Sequence, residues 1–246
     1  MDLPAPALSI VIPMKNEAGN VATLLSEIAE HCASVPHEIL LIDDGSTDST
    51  AKIIQENQAL NPNIRLLQNT QSGGQSAAVH AGVLAARAPI ICTLDGDGQN
   101  PPAEILKLYA PLAADAQGML GLVAGQRIDR QDTVAKKIGS RFANALRAYL
   151  LNDGTRDTGC GLKGFRRDAF LALPYFDHMH RYLPALMKRD GWEIALVDVS
   201  HRERGAGRSN YSNLQRALVG IYDLIGVAWL IKRRKKARPT EITHGK

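Results

Sequence analysis

The 246-residue sequence lacks any stretch approaching the roughly 20 uninterrupted apolar residues that cross a bilayer as a helix, which argues against a conventional membrane span. Its first residues, Met1-Asp2-Leu3-Pro4-Ala5-Pro6, have neither the basic nor the apolar region of a signal peptide, so the expectation is a cytoplasmic protein. Cysteine is scarce. Cys32, Cys92 and Cys160 form an odd, widely spaced set that suits neither a disulfide framework nor a zinc cluster, and they read as reduced thiols. Internal repeats and low-complexity linkers are missing too, so nothing divides the chain before about Asn213. The length then suits one large α/β domain over residues 1–212 with an appendage over 213–246.

The net charge of +4 is unevenly spread. From Lys232 onward there are seven Lys/Arg against one Glu, and the remaining residues are net acidic. The cluster Lys232-Arg233-Arg234-Lys235-Lys236-Ala237-Arg238 directly follows an apolar stretch, an order that favours an anionic membrane surface over nucleic acid. A solvated tail is the plain alternative. Upstream, Leu214 to Ile231 is apolar apart from Gln215, Arg216 and Asp223. On a helix Arg216, Gly220 and Asp223 share a narrow stripe, leaving a broad apolar surface that either lies in the membrane interface or packs on the domain or on a small membrane-protein partner. Trp229 suits an interfacial anchor.

Short apolar runs at Leu8–Pro13, Glu38–Asp43, Ile64–Leu67 and Pro89–Leu94 read as buried strands. Helical patterns separate them, roughly Asn20–Cys32, Ser49–Leu60 and Gln75–Ala86. Strands that are apolar throughout and alternate with helices imply a mainly parallel sheet covered on both faces, with ligands at the strands' carboxyl ends. A fifth strand is expected at Leu120–Gly125. Beyond it the pattern predicts a long helix over Gln131–Leu151, a short strand at Gly161–Phe165, a helix over His180–Asp190 and a strand at Glu193–Ser200.

Every strand end but the third is followed by charged or amide residues. After the fourth comes Asp95-Gly96-Asp97-Gly98-Gln99-Asn100-Pro101-Pro102. Two carboxylates one glycine apart can converge on a hard divalent cation, Mg²⁺ or Mn²⁺, which takes carboxylates, phosphate oxygens and water; Gln99 adds an amide oxygen. The second strand ends in Asp43-Asp44-Gly45-Ser46-Thr47-Asp48. Ser46, Thr47 and Asp48 suit a helix N-cap, whereas Asp43 and Asp44 suit hydrogen bonds to a nucleobase or ribose. The first is followed by Pro13-Met14-Lys15-Asn16-Glu17, where Glu17 either contacts the same nucleoside or caps the next helix.

These three blocks, in this order and spacing, resemble family 2 glycosyltransferases of the GT-A fold, and most nearly the dolichol-phosphate mannose synthase-like branch. The resemblance continues through Gly125-Gln126-Arg127, Asp157 to Phe165 and His201 to Tyr211, and so spans about Leu8 to Ile231. It implies inverting transfer of a sugar from a nucleotide-sugar donor, a UDP- or GDP-sugar, to a polyprenyl phosphate. It further implies that Asp95, Asp97 and Gln99 hold the metal, that Pro13, Asn16, Glu17, Asp43, Asp44 and Asp95 bind the donor, and that Arg127 and Arg202, with Arg141 and Arg204 nearby, handle phosphate. Asp97, Arg127 and Arg202 are the catalytic candidates. Gln71 to Ser76 departs from the loop often seen in that branch, Gln75 standing where many relatives have a larger apolar or basic residue.

The chemistry favours a phosphate acceptor independently. A hydroxyl acceptor needs a general base, whereas a phosphate monoester, with a second pKa of about 6, is already anionic near neutrality. What it needs is cations, and arginine binds phosphate bidentately. A hydroxyl acceptor with Asp157 as base is the competing enzyme reading; a non-catalytic, membrane-associated nucleotide-sugar binding protein is the reading from another class. Cys160 reads as packing rather than nucleophile, His180 as structural or substrate-facing, and Trp192 as core. The expected location is peripheral, on the cytosolic face of a membrane.

Overall fold

A computed structural model describes residues 5–128, 150–151, 153–202, 213–234 and 237, with residues 213–219 described by backbone alone. The expected helix over Gln131–Leu151, and with it Arg141, lies outside the described residues except for its last two, as does Arg204.

Seven strands form one sheet in the order β3-β2-β1-β4-β6-β5-β7. β1 (Leu8–Met14), β2 (His37–Asp43), β3 (Ile64–Gln68) and β4 (Ile90–Thr93) match the four apolar runs and pair in parallel. Between them run α1 (Val21–His31), α2 (Thr50–Leu60) and α3 (Gly74–Ala85), each within a residue of its predicted bounds. Their connections place β2 and β3 on one side of β1 and β4 on the other. The strand order therefore reverses between β1 and β4, where an α/β sheet opens a crevice at its carboxyl edge.

β6 (Lys163–Arg166) enters this sheet antiparallel, between β4 and β5 (Leu120–Arg127), and β7 (Glu193–Val199) closes the edge parallel to β5. The short strand thus begins two residues later than its apolar pattern suggested, because the register is set by pairing Thr93 with Lys163 and Ile90 with Arg166. The helix predicted over His180–Asp190 is two pieces, a 3₁₀ turn at Met179–Arg181 and a helix at Leu183–Arg189; Pro184 sits in the first turn of the second, where its missing N–H costs nothing.

Two helices were not foreseen, the short Arg167–Leu171 and a longer one after β4. Ile105–Ala114, α4, follows a 3₁₀ turn at Pro102–Glu104, and its Ile105, Leu108 and Leu112 are buried at helical spacing. Pro101, Pro102 and Pro111 disguise it as a loop. Among the described residues we number the other helices α5 (Arg167–Leu171), α6 (Leu183–Arg189) and α7 (Asn213–Lys232).

The sheet separates two apolar layers. One face packs Ile10, Ile12, Leu41 and Cys92 beneath α1 and α4; the other packs Val11, Leu40, Ile42 and Phe165 beneath α3, α5 and α6. Alternate residues of β1 and β2 serve opposite layers, which explains why both strands are apolar throughout. All three cysteines are buried and free, and burial pushes the Cys32 thiol up to about 11. Trp192 is only partly buried, its side chain lying against Gly121 at the edge of the second layer.

The C-terminal helix docks on the domain and leaves an apolar face outside. Asp223 meets His178 at 3.2 Å, the Tyr182 hydroxyl donates to the Gly220 carbonyl at 3.3 Å, and Arg189 Nε donates to the Leu230 carbonyl at 3.0 Å. Leu224 and Val227 are buried, whereas Ile221, Tyr222, Ile225 and Trp229 are exposed. The polar stripe at Asp223 therefore faces protein, the reverse of an ordinary surface helix. Among the described residues no helix is long and apolar enough to cross a membrane.

Candidate active site

The site forms where the strand order reverses. The Asp44 N–H donates to the Met14 carbonyl at 2.8 Å, which draws the ends of β1 and β2 together. A Cβ on Gly96 would overlap Met14 and meet the Pro13 carbonyl oxygen at 2.9 Å, so the loop after β4 lies directly against the end of β1. Only glycine allows that approach.

Two cavities meet here. The outer one, about 530 Å³, is lined by Lys15, Glu17, Asp44, Ser72 and Asp97 among others. The inner one, about 370 Å³, is lined by Thr93, Cys160, Lys163, His180 and Arg181 among others. Pro13, Gln75 and Asp95 belong to both walls. Gln75 Nε2 donates to Asp95 Oδ1 at 2.7 Å, so two of the three shared residues are bonded to each other.

Asp95 is held from both sides. Asn100 Nδ2 donates to its Oδ2 at 3.0 Å, and Gly161 lies so close that a Cβ there would overlap the carboxylate. Burial and then the neighbouring Asp97 push the Asp95 carboxyl above the ordinary range, against Lys163, Asn100 and Arg127. Two carboxylates that repel across one glycine, both able to offer oxygen, fit a divalent cation, which would relieve the repulsion. Asp97 Oδ1 accepts the Gln99 N–H at 3.2 Å. The Gln99 side chain instead lies by His201 Nε2 and the Arg202 carbonyl, each at 3.4 Å from its Nε2. The aspartates are thus together, while the amide of Gln99 is engaged with the loop after β7.

The acids after β2 are occupied by the protein. Asp43 Oδ1 accepts the Ser46 N–H at 3.0 Å and its Oδ2 accepts Gln68 Nε2 at 3.0 Å. Asp44 accepts four bonds, from Asn69 Nδ2 at 2.7 Å, the Gly73 N–H at 2.8 Å, the Ser72 hydroxyl at 2.7 Å and the Gly74 N–H at 2.9 Å. Burial works to raise the Asp44 pKa, but the bonds from Gly73, Ser72, Asn69 and Gly74 outweigh it and hold the carboxyl below its usual range. Asp44 still lines the outer cavity; its bonds organise the loop before α3 that carries Gln75. Lys15 Nζ joins the same network by donating to the Ser72 hydroxyl at 2.7 Å.

Asn16 takes a left-handed conformation (φ 56°) and clasps the β2 loop: its N–H donates to Ser46 Oγ at 2.9 Å, and its Oδ1 accepts the Thr47 N–H at 2.8 Å. Glu17 Oε2 accepts Asn20 Nδ2 at 2.7 Å, beside the start of α1, and Glu17 also lines the outer cavity. Its two alternative tasks are therefore compatible.

The phosphate candidates are dispersed. Arg127 binds Asp157 bidentately, Nε to Oδ2 at 2.5 Å and Nη2 to Oδ1 at 3.0 Å, and this partner raises its pKa. It stands behind Gly159 of the inner wall, where a Cβ would meet Arg127 Nη2 at 3.4 Å. Arg202 points away, donating to both oxygens of Glu27 on α1 at 2.8 and 2.9 Å, while its backbone N–H donates to the Gln99 carbonyl at 2.9 Å.

Four residues near the reacting region were not foreseen as site residues: Gln75, Asn100, Gly161 and Lys163. Lys163 is buried in the inner wall, and its ammonium donates to the Cys160 carbonyl. Burial pushes its pKa down, against Cys160, Asp95 and Asp157. Its basic side chain within a short apolar strand was the available signal. His180 is pinned by the Ser76 hydroxyl at 2.7 Å from Nδ1, and burial holds its pKa well below the ordinary value, so it is neutral near pH 7. Burial raises the Cys160 thiol, consistent with packing rather than nucleophilic use. Among the described residues no cluster of three or more His, Cys, Asp or Glu forms a cage that could hold a metal by itself. An ion at Asp95 and Asp97 would need ligand oxygens, such as phosphate, to complete its shell.

Comparison with known proteins agrees with this geometry. Residues 9–173 match the model of "Glycosyl transferase family 2". Over 242 residues the chain is 34% identical to the dodecaprenyl-phosphate galacturonate synthase of Rhizobium johnstonii, covering 94% of this chain and 69% of that protein. Among solved structures it resembles a Pyrobaculum calidifontis mannosyltransferase in complex with GDP-Man and Mn²⁺ (TM-score 0.64, 19% identity, 95% of this chain and 66% of that one). It also resembles the glucosyl-3-phosphoglycerate synthase of Mycobacterium tuberculosis, bound to Mn²⁺, UDP and glucosyl-3-phosphoglycerate (TM-score 0.66, 18% identity, 92% and 80%). These likenesses establish the mostly parallel, helix-flanked GT-A-like fold. The chain belongs to glycosyl transferase family 2.

Proposed function

We propose that this family 2 glycosyltransferase moves a sugar, with inversion, from a nucleotide-sugar to a polyprenyl phosphate at a membrane surface. The observation that carries the reading is the state of the acids. Asp95 is the one carboxylate in the described wall of the inner cavity, and Asp157, the candidate base, is held bidentately by Arg127. An acceptor that must lose a proton is poorly served by such a site; a phosphate, already anionic, needs none removed. The similarity to a protein that acts on dodecaprenyl phosphate supports the same acceptor.

In this reading the outer cavity takes the nucleoside, with Asp44 shaping its loop and Asn16 fixing the turn after β2. Asp95 and Asp97 hold Mg²⁺ or Mn²⁺ against the donor diphosphate. The ion supplies Lewis-acid stabilisation of the departing nucleoside diphosphate. Gln75 and Asn100 orient Asp95, each by one hydrogen bond. Arg127, with N–H groups left after its two bonds to Asp157, positions the acceptor phosphate. Arg202 joins it only by exchanging Glu27 for phosphate.

The outward face of α7, with Ile221, Tyr222, Ile225 and Trp229, rests in the membrane interface, and Lys232, Arg233 and Arg234 lie on anionic headgroups, each contributing on the order of 1 kcal/mol. This surface belongs on the cytosolic leaflet.

The test is to incubate purified protein with polyprenyl phosphate and labelled nucleotide-sugars, with and without Mn²⁺. Label should reach the lipid only when both phosphate and metal are present. Transfer to unphosphorylated polyprenol would overturn the reading.

A further inference from the structure

Gln75 and Ser76 are successive residues in the first turn of α3, and at 3.6 residues per turn their side chains point roughly 100° apart. Gln75 reaches the Asp95 carboxylate; Ser76 reaches the ring of His180, in the 3₁₀ turn at Met179–Arg181. Ser76 is 1% exposed, and among the described residues its hydroxyl oxygen meets two groups, the His180 backbone N–H at 3.3 Å and the ring Nδ1 at 2.7 Å. A backbone N–H can only donate, so Oγ accepts that bond and its own proton has one acceptor to go to, Nδ1. The opposite arrangement, with the ring proton on Nδ1, would leave a buried hydroxyl proton without an acceptor. In an uncharged imidazole an accepting Nδ1 places the ring proton on Nε2. Burial, with Lys163, Arg181 and His178, disfavours the imidazolium. The described residues give Nε2 no partner and do not seal it off, and the ring lines the inner cavity.

An uncharged donor of fixed direction thus stands in a wall whose Lys163 and Arg181 are cations. We propose that Nε2–H of His180 donates a hydrogen bond to a hydroxyl oxygen of the transferring sugar, and that Ser76 is the positioning residue that fixes this tautomer. This rests on the reading of the site as a nucleotide-sugar transferase. With the diphosphate at Asp95 and Asp97, the sugar is the group one bond beyond it. The same helical turn sets both the Asp95 carboxylate and the imidazole on the wall of the inner cavity, so what lies between them is held from both sides. A sugar hydroxyl offers lone pairs to an uncharged donor, whereas the acceptor phosphate draws on cations.

Long-range proton–nitrogen correlation spectra of the full chain, with the His180 signals assigned by their loss in His180→Gln, read the tautomer directly. The Nε2–H form should predominate at least about tenfold, and Ser76→Ala should bring the two forms toward equal population. Calorimetric titration with UDP, GDP, UDP-glucose, UDP-galactose and GDP-mannose, all with Mn²⁺, reads the contact. For the tightest-bound nucleotide-sugar, His180→Phe should lower affinity relative to its parent diphosphate by about five- to tenfold, and leave the diphosphate itself within about twofold. His180→Gln, whose amide can donate from the same position, should retain most of that ratio, and Ser76→Ala should lose part of it. If His180→Phe fails to fold, Ser76→Ala decides by the same two readouts. A predominant Nδ1–H form, or a ratio unmoved by His180→Phe, overturns the inference and leaves the transferase reading standing. A rise in KM for polyprenyl phosphate at constant ratio overturns it by assigning the imidazole to the acceptor. Failure of every nucleotide to bind removes the transferase reading, and the inference with it.

Discussion

From β1 to β4 the strands run parallel, and the candidate site residues sit at a strand's carboxyl end or within a few residues of it. From β5 to β7 the arrangement differs: β6 runs antiparallel, and Gly161 and Lys163 reach the site from its beginning rather than from a strand's end. In the first half Asp43 and Asp44 are saturated by hydrogen bonds from the protein. The second half contributes cations to a chamber that exists only because β6 is inserted between β4 and β5.

The comparison can be broken most forcefully at Asp97, the proposed metal ligand of the first half. Asp97→Ala should lower transfer by about three orders of magnitude with an unchanged far-UV circular dichroism spectrum, the scale of losing a group that stabilises transition-state charge. Retained Mn²⁺-dependent turnover would remove Asp97 from the site. In the second half, Asp157→Ala leaves the part-buried Arg127 without its bidentate partner and should cost on the order of 3 kcal/mol in urea unfolding. Asp157→Asn keeps one hydrogen bond and should raise KM for the lipid phosphate more than it lowers kcat. A kcat collapse at constant KM would instead assign Asp157 as base.

Asp44 tests the first half. Asp44→Ala removes the acceptor of four hydrogen bonds and should destabilise by about 2 kcal/mol, part of it replaced by water at this loop. Its folded pKa is depressed, so its contribution is fully present above the unfolded value of about 3.9 and is lost as pH falls through the lower folded value. Asp44→Asn should therefore flatten the acid limb of a stability-versus-pH curve; an unaltered limb would show that the network contributes nothing. The smallest effect is expected outside both halves. Trp229→Ala should weaken binding to anionic vesicles by roughly tenfold and leave melting temperature unchanged, since its side chain is exposed. A fall in melting temperature would mean that Trp229 supports the domain rather than a membrane.

Much of this was legible along the chain. The four parallel strands and three intervening helices follow from period and punctuation, and Asp95 and Asp97 follow from their place after an apolar run. Other features were hidden by specific residues. Pro111 inside α4 reads as a breaker, yet a proline within a helix that packs on the sheet is outweighed by the burial of Ile105, Leu108 and Leu112. Arg202 looks like a phosphate ligand in sequence, but only the fold sets Glu27 of α1 beside it. Gln75 looks like a departure from the familiar loop; in space it donates to Asp95 on the wall that the two cavities share.

By itself the sequence determined the first half. Strand and helix periods, strand-end acids and glycine turns act over a few residues, so local order along the chain specifies them. It also determined the basic end of α7, because charge composition needs no partner to be read. Only the tertiary structure decided that Asp44 is consumed by the protein's own donors, because its hydrogen-bond partners lie some 25 to 30 residues away. It likewise decided that Lys163 faces Asp95 across the end of β4. That juxtaposition comes from antiparallel pairing over 70 residues of chain, and no local pattern encodes a contact at such range.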